Sequence, residues 1–223
     1  MTHIVFALYP AVTQLDFTGP HQVFSRLPNA QVECASLTGE AITTDNLTFS
    51  GLKRLAQIER CDVLCVPGGY GTTDMIQNPE FLGEIRRLAA SATYVTSVCT
   101  GSLILGAAGL LKGKRAACHW AWRDQLALFG AIPDAARVVR DGNVLTGGGV
   151  TAGIDFGLTL AAEIAGAEVA QGIQLALEYA PAPPFGSGRP ETAPAEILDR
   201  INAIFAKTLP VRLAAAERAA ALL

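Results

Sequence analysis

The chain predicts an α/β fold with a mainly parallel central sheet, and three observations carry that expectation. Apolar strand-like runs alternate with helical runs in a β-loop-α-β rhythm, which implies parallel strands joined by right-handed crossovers. Half of the 223 residues are hydrophobic and 17% are charged, enough to bury one sizeable core, and the length is small for two domains. The stretch Ala92–Leu111 reads as strand, sharp turn, helix, with Cys99 on the joint. One domain is expected over 1–223, with C-terminal helices after about residue 190.

The elements follow in order. His3–Tyr9 is a short apolar strand, and Val12–Phe17 a loop that carries Leu15-Asp16-Phe17 towards a helix capped by Thr18, with Pro20 in its first turn and an end near Leu27. Gln31–Leu37 is a second strand, followed by a small hairpin through Asn46 to about Ser50. Asp62–Val66 is a fully buried strand that stops at Pro67-Gly68-Gly69-Tyr70-Gly71, and Glu80–Ala90 is a helix. In the central stretch, Thr93–Val98 is β-branched and aromatic, while Thr100–Leu111 has a proline-free helical pattern. Arg115–His119 is strand-like, Ala121–Phe129 helical, and Gly130 a stop. Val138–Arg140 and Val144–Thr146 form a hairpin about Asp141-Gly142-Asn143. Gly147–Gly149 precedes a long helix from about Thr151 to Tyr179, which Pro181–Pro184 ends, and one or two alanine-rich helices finish the chain.

Several function classes are excluded by composition. A net charge of −3 gives no basic footprint for nucleic acid, and no uncharged apolar run reaches the length of a membrane span. Five cysteines, at 34, 61, 65, 99 and 118, are an odd number, and Met1-Thr2-His3 leads straight into a strand without a signal peptide, so reduced thiols in the cytoplasm are expected. Cys61 and Cys65 lie four apart on an alternating run and are core candidates. Three histidines, none suitably spaced, argue against a metal site. The high hydrophobic fraction leaves surface for a homo-oligomer interface.

A thiol at a strand-to-helix elbow is held out at the carboxyl edge of the sheet, near the N–H groups and positive end of the next helix, which favours the thiolate. Cys99 is therefore a candidate nucleophile, with a small buried hydrophobe as the alternative. Asp16, Gly68-Gly69, Cys99-Thr100 and Gly147–Gly149 end or follow strands on what is inferred to be one edge, where open parallel sheets bind ligands. The N–H groups of Gly68, Gly69 and Thr100 can hold a developing negative charge, although a Gly-Gly pair is equally a tight turn. Asp16 alone reads more readily as a solvated loop carboxylate or a cap than as a catalytic group. His119 suits a packed histidine, Thr151 a cap and Asp155 a helix-dipole partner, and none is assigned to catalysis.

Asp-Phe-Thr-Gly-Pro at 16–20, Val-Pro-Gly-Gly at 66–69, Ser-Val-Cys-Thr-Gly-Ser at 97–102, Gly-Lys-Arg-Ala-Ala-Cys-His-Trp at 113–120 and Leu-Thr-Gly-Gly-Gly-Val-Thr-Ala-Gly-Ile-Asp-Phe at 145–156 together resemble the ThiJ/PfpI superfamily. Within it the likeness is to the isocyanide (isonitrile) hydratases, including Leu-Glu-Tyr-Ala-Pro-Ala-Pro-Pro-Phe at 177–185. The resemblance implies a flavodoxin-like sandwich, a homodimer, and hydration of a small-molecule isocyanide to an N-substituted formamide without metal or organic cofactor. It makes Cys99 the nucleophile, passing through a thioimidate, and Asp16 the acid/base carboxylate, where the wider superfamily usually has glutamate. Thr100 stands where protease-like members carry histidine, which argues against peptidase activity. Two other classes remain: a redox, stress or glyoxalase-like protein acting through Cys99, and the sensor domain of an AraC-type regulator. The latter needs a basic two-helix-turn-helix domain downstream, whereas about 40 charge-balanced residues follow the proline loop.

Overall fold

The computed structural model describes residues 1–223. The strands are β1 (Thr2–Leu8), β2 (Ala30–Ser36), β3 (Ile42–Thr44), β4 (Leu47–Phe49), β5 (Lys53–Arg54), β6 (Val63–Val66), β7 (Tyr94–Val98), β8 (Arg115–Ala116), β9 (Ile132–Pro133), β10 (Val138–Asp141) and β11 (Val144–Gly147). The helices are α1 (Gln14–Phe24), α2 (Thr72–Met75), α3 (Pro79–Ala89), α4 (Gly101–Ala107), α5 (Ala152–Ala165), α6 (Ala167–Ala176), α7 (Ala195–Phe205) and α8 (Leu209–Ala220). A seven-stranded sheet runs in the order β10-β11-β7-β6-β1-β2-β5, parallel throughout except for the β10–β11 hairpin.

Every residue of β6 is buried, the signature of a strand covered on both faces. One cover is α1 against α5, with α5 lying over β11 and β7; the other includes α4, packed on β6 and β7 beside α3 and α8. Phe24 of α1 meets Phe156 of α5 edge-on at 6.0 Å and Phe6 of β1 at 6.1 Å, so one aromatic cluster fixes α1 to both sheet and neighbour. Gly157 lets the two helices close, since a Cβ there would lie 3.2 Å from Val23 Cβ and 3.3 Å from Pro20 Cα.

Several sequence expectations change in the structure. Asp16 lies in the first turn of α1 rather than in a loop, and Pro20 lies inside that helix. Thr18, instead of capping, donates its hydroxyl to the Gln14 carbonyl at 3.0 Å. The expected helix from Thr151 to Tyr179 is two helices, because Gly166 adopts φ 91°, ψ 157°, a conformation that no helix continues through and that glycine tolerates best. The Arg115–His119 strand shrinks to β8, because Ala117 N–H bonds the Thr146 hydroxyl at 2.8 Å and its carbonyl accepts from Ser102. Ala121–Phe129 is realised as a 3-10 segment over Arg123–Phe129, ended by Gly130 at φ 71°, and the helix after the elbow stops at Ala107.

Candidate active site

The elbow is built by backbone constraint. β7 ends at Val98, α4 begins at Gly101, and Cys99 between them has φ 59°, a left-handed conformation rare for a side-chain-bearing residue and characteristic of strained functional turns. Two carbonyls hold it there: Cys99 N–H donates to Gly147 O at 3.0 Å and to Gly148 O at 2.7 Å. Ser97 and Ser102 flank the turn with their hydroxyls 2.8 Å apart, and Ser102 donates onward to the Ala117 carbonyl. These bonds give the Ser-Val-Cys-Thr-Gly-Ser and Ala-Ala-Cys-His stretches a physical reason: each buries polar groups that the other satisfies.

Asp16 reaches the elbow from α1. Thr13 N–H bonds Gly68 O at 2.9 Å and Gly71 N–H bonds Ala11 O at 3.1 Å, which ties the β1–α1 turn to the β6 loop. Asp16 Oδ2 then accepts the Gly68 N–H at 2.9 Å, while the buried Oδ1 has no hydrogen-bond partner. Burial drives this carboxyl up to about 7, opposed first by the Gly68 N–H bond and then by the Cys99 thiol beside it. A Cβ on Gly68 would collide with Thr100 N, Thr100 Oγ1 and Asp16 Oδ2, so glycine is required for the groups to converge.

The Gly68 and Gly69 N–H groups are not free to face a ligand as the sequence suggested. Gly68 donates to Asp16, and Gly69 donates to the Thr100 hydroxyl at 3.0 Å. That hydroxyl belongs to a buried chain: Thr100 Oγ1 is 2.9 Å from Thr72 Oγ1, which is 3.1 Å from the Tyr9 hydroxyl, which donates to Pro67 O at 2.7 Å. Of the expected donors, the Thr100 N–H faces the Cys99 sulfur.

Nor does the helix dipole dominate the thiol. Cys99 is 5% exposed, and burial first, then the negative Asp16, push it well above the ordinary thiol range, with the Thr100 N–H acting the other way. Burial and Asp16 both favour the thiol over the thiolate.

A cavity of about 120 Å³ opens on Cys99 and Thr100 and is walled by His119, Trp122, Phe205 and Arg212. His119 is neutral: its Nδ1 accepts the Ala121 N–H at 3.3 Å, and burial lowers it to about 4. Asp155 pairs with Arg137 and accepts the Tyr179 hydroxyl at 3.1 Å, outside this cavity. The Thr151 side chain makes no cap, accepting from Arg137 at 3.2 Å instead. Ala152 and Gly153 are buried, with Gly153 abutting Pro20 of α1, and neither lines the cavity. Sequence reasoning missed Trp122, Phe205 and Arg212, whose surroundings in sequence carry no motif.

The site thus sets a thiol at a strained elbow beside a carboxyl driven up to about 7, at the carboxyl edge of a parallel sheet in an α/β fold. The chain belongs to the DJ-1/PfpI family, whose model matches residues 2–163. It is 52% identical to isonitrile hydratase of Pseudomonas putida over 98% of this chain and 96% of that protein. A ThiJ/PfpI family protein from Pseudomonas syringae superposes with a TM-score of 0.92 at 41% identity, covering 98% of this chain and 90% of that one. DJ-1beta of Drosophila melanogaster, at 25% identity and a TM-score of 0.72, covers 81% of this chain and 99% of that one. The flavodoxin-like, mainly parallel α/β architecture is thus shared across the family.

Proposed function

We propose that this protein hydrates an organic isocyanide to the N-substituted formamide, with Cys99 as nucleophile and Asp16 as proton carrier. The observation that carries the chemistry is a buried carboxyl titrating near 7 beside the elbow thiol. The likeness to an isonitrile hydratase over nearly the whole of both chains supplies the substrate class.

Each step has an assigned group. Cys99 gives its proton to the Asp16 carboxylate as the sulfur bonds to the terminal carbon of the isocyanide, and Asp16 returns that proton to the same carbon, leaving an S-linked thioimidate. Asp16, again a carboxylate, takes a proton from water as the oxygen adds to the thioimidate carbon. Asp16 delivers that proton to the nitrogen, and as the C–S bond breaks the remaining hydroxyl proton passes through Asp16 to the leaving sulfur, so the formamide departs with the Cys99 thiol restored. The net change is one isocyanide plus one water to one formamide. A carboxyl poised near the working pH suits a group that both takes and gives a proton, and the apolar wall accepts the organic substituent.

A homodimer is part of this reading, supported by Leu175 on α6 and Phe185 beyond it, which lie 82% and 78% exposed. No helix is long and apolar enough to cross a membrane, and five unpaired cysteines support a cytoplasmic setting. Infrared monitoring of an aryl isocyanide with purified protein tests the activity. Loss of the N≡C stretch with appearance of the formamide is expected; an inert isocyanide with consumption of methylglyoxal would favour the glyoxalase-like reading.

A further inference from the structure

Arg212 is the only Lys or Arg of the chain that is buried, and no carboxylate pairs with it. It sits near the start of α8, is 5% exposed, and takes part in none of the ion pairs. A guanidinium has five N–H donors, yet the protein bonds it through Nη2 to the Gly69 carbonyl alone, at 3.3 Å. Its charge lies 4.4 Å from the Trp122 ring centroid and 6.0 Å from that of Tyr70, so aromatic faces replace part of its lost hydration. Burying an unpaired cation costs free energy, and the fold shows no structural use for this one beyond a single bond to Gly69.

The cavity has a use for it. Arg212 and Cys99 line the same small space, and the proposed chemistry generates a thiolate twice, on attack and on release. The titratable groups around the pair are Asp16 from α1, Tyr9 from β1, Tyr70 after β6, and Cys118 and His119 after β8. Asp16, the tyrosines and Cys118 become negative if they ionise, and His119 stays neutral. The Gly68 and Gly69 N–H groups are spent on Asp16 and Thr100. Arg212 is the one Lys or Arg side chain lining the cavity, and a Cys99 thiolate is first among the negative groups that favour its charge.

We propose that Arg212 is a positioning residue that supplies the counter-charge for the Cys99 thiolate, so that the C-terminal helix sets the reactivity of the elbow nucleophile. The guanidinium stays charged throughout and exchanges no proton with Cys99. A neutral isocyanide enters beside it, and the ion pair forms only as Cys99 ionises. The proposal rests on Cys99 as the nucleophile, though its test uses no isocyanide.

The experiment is the pH dependence of alkylation by neutral iodoacetamide in the full-length chain, quantified by peptide mapping, with Cys34 of β2 as the internal control. Arg212→Met should move the log rate–pH profile of Cys99 upward by about one unit, a tenfold slower reaction at a given pH below the midpoint, while Cys34 is unchanged. Arg212→Lys, which keeps the charge, should stay within about half a unit of wild type. A Met variant with an unmoved Cys99 profile, or a Lys variant displaced as far as Met, overturns the proposal. If near-ultraviolet circular dichroism shows that the Met variant does not fold, the Lys variant decides alone: a wild-type profile supports the proposal, and a rise of a full unit overturns it. Failure here would leave the hydratase reading standing, because that reading is tested by formamide formation.

Discussion

The two walls of the cavity are made by different physics. On the elbow side, Cys99, Asp16, Gly68 and Thr100 are fixed by short-range strain and a dense set of hydrogen bonds, most of them to backbone. On the other side, Trp122, Phe205 and Arg212 are held by ring packing and a cation over aromatic faces, with one long hydrogen bond to Gly69. The first wall positions reacting atoms to a fraction of an ångström; the second sets volume, polarity and field. Substitutions on the elbow side should therefore act on chemistry, and those on the aromatic side on binding and selectivity.

The largest expected effect is at the nucleophile. Cys99→Ser should reduce isocyanide turnover by roughly a thousandfold or more while leaving the fold intact, since the proposed mechanism makes the sulfur the attacking atom. A variant that keeps most of the rate would erase the functional difference between the walls.

Asp16→Asn comes next and separates chemistry from stability. Turnover should fall by roughly a hundredfold or more, with the Gly68 N–H still satisfied by the amide oxygen. Stability should move the other way. The folded protein holds the Asp16 proton to about pH 7, whereas an unfolded chain releases it near pH 4, so wild-type stability declines as pH rises between the two. About three pH units at about 1.4 kcal/mol each set an upper limit of about 4 kcal/mol. The Asn variant lacks this decline, so its Tm advantage should be greatest near pH 8 and vanish towards pH 4; thermal melts across that range decide it.

The same contrast explains what the sequence disclosed. Cys99, Asp16, Gly68, Gly69 and Thr100 sit in short stretches whose residue types are dictated locally: a thiol at a turn, glycines where Cβ would collide, a threonine that caps a buried chain. The parallel core strands and both hairpins were legible for the same reason. The α5–α6 break was not, because an internal Gly166 is tolerated in a helix unless tertiary packing turns the chain there. Arg212 was invisible because its partner Gly69 is 143 positions away, and an arginine on an alanine-rich helix reads as a solvated face. The roles of the Gly68 and Gly69 N–H groups were misread because their acceptors, Asp16 and Thr100, are also remote in sequence.

Smaller effects sharpen the comparison. Thr100→Val breaks the Tyr9–Thr72–Thr100 chain and orphans the buried Gly69 N–H, which should cost about 1–3 kcal/mol in denaturant unfolding. Phe205→Ala on the aromatic wall should raise KM several-fold for aryl isocyanides with little change in kcat, from loss of about 1 kcal/mol of ring contact. A Phe205 variant with depressed kcat and normal KM would show that both walls serve the chemical step. Asp155→Asn, which removes a partly exposed ion pair with Arg137 outside the cavity, should change stability by less than about 1 kcal/mol and leave turnover unaltered.

The account turns on a proton held by Asp16 near neutrality, and infrared difference titration of the free enzyme measures it directly. Wild-type protein should show a protonated-carboxyl stretch that disappears with a midpoint near pH 7 and is missing in Asp16→Asn. A wild-type protein with no carboxyl titrating above about pH 5, or a neutral-range band that survives in Asp16→Asn, would contradict it.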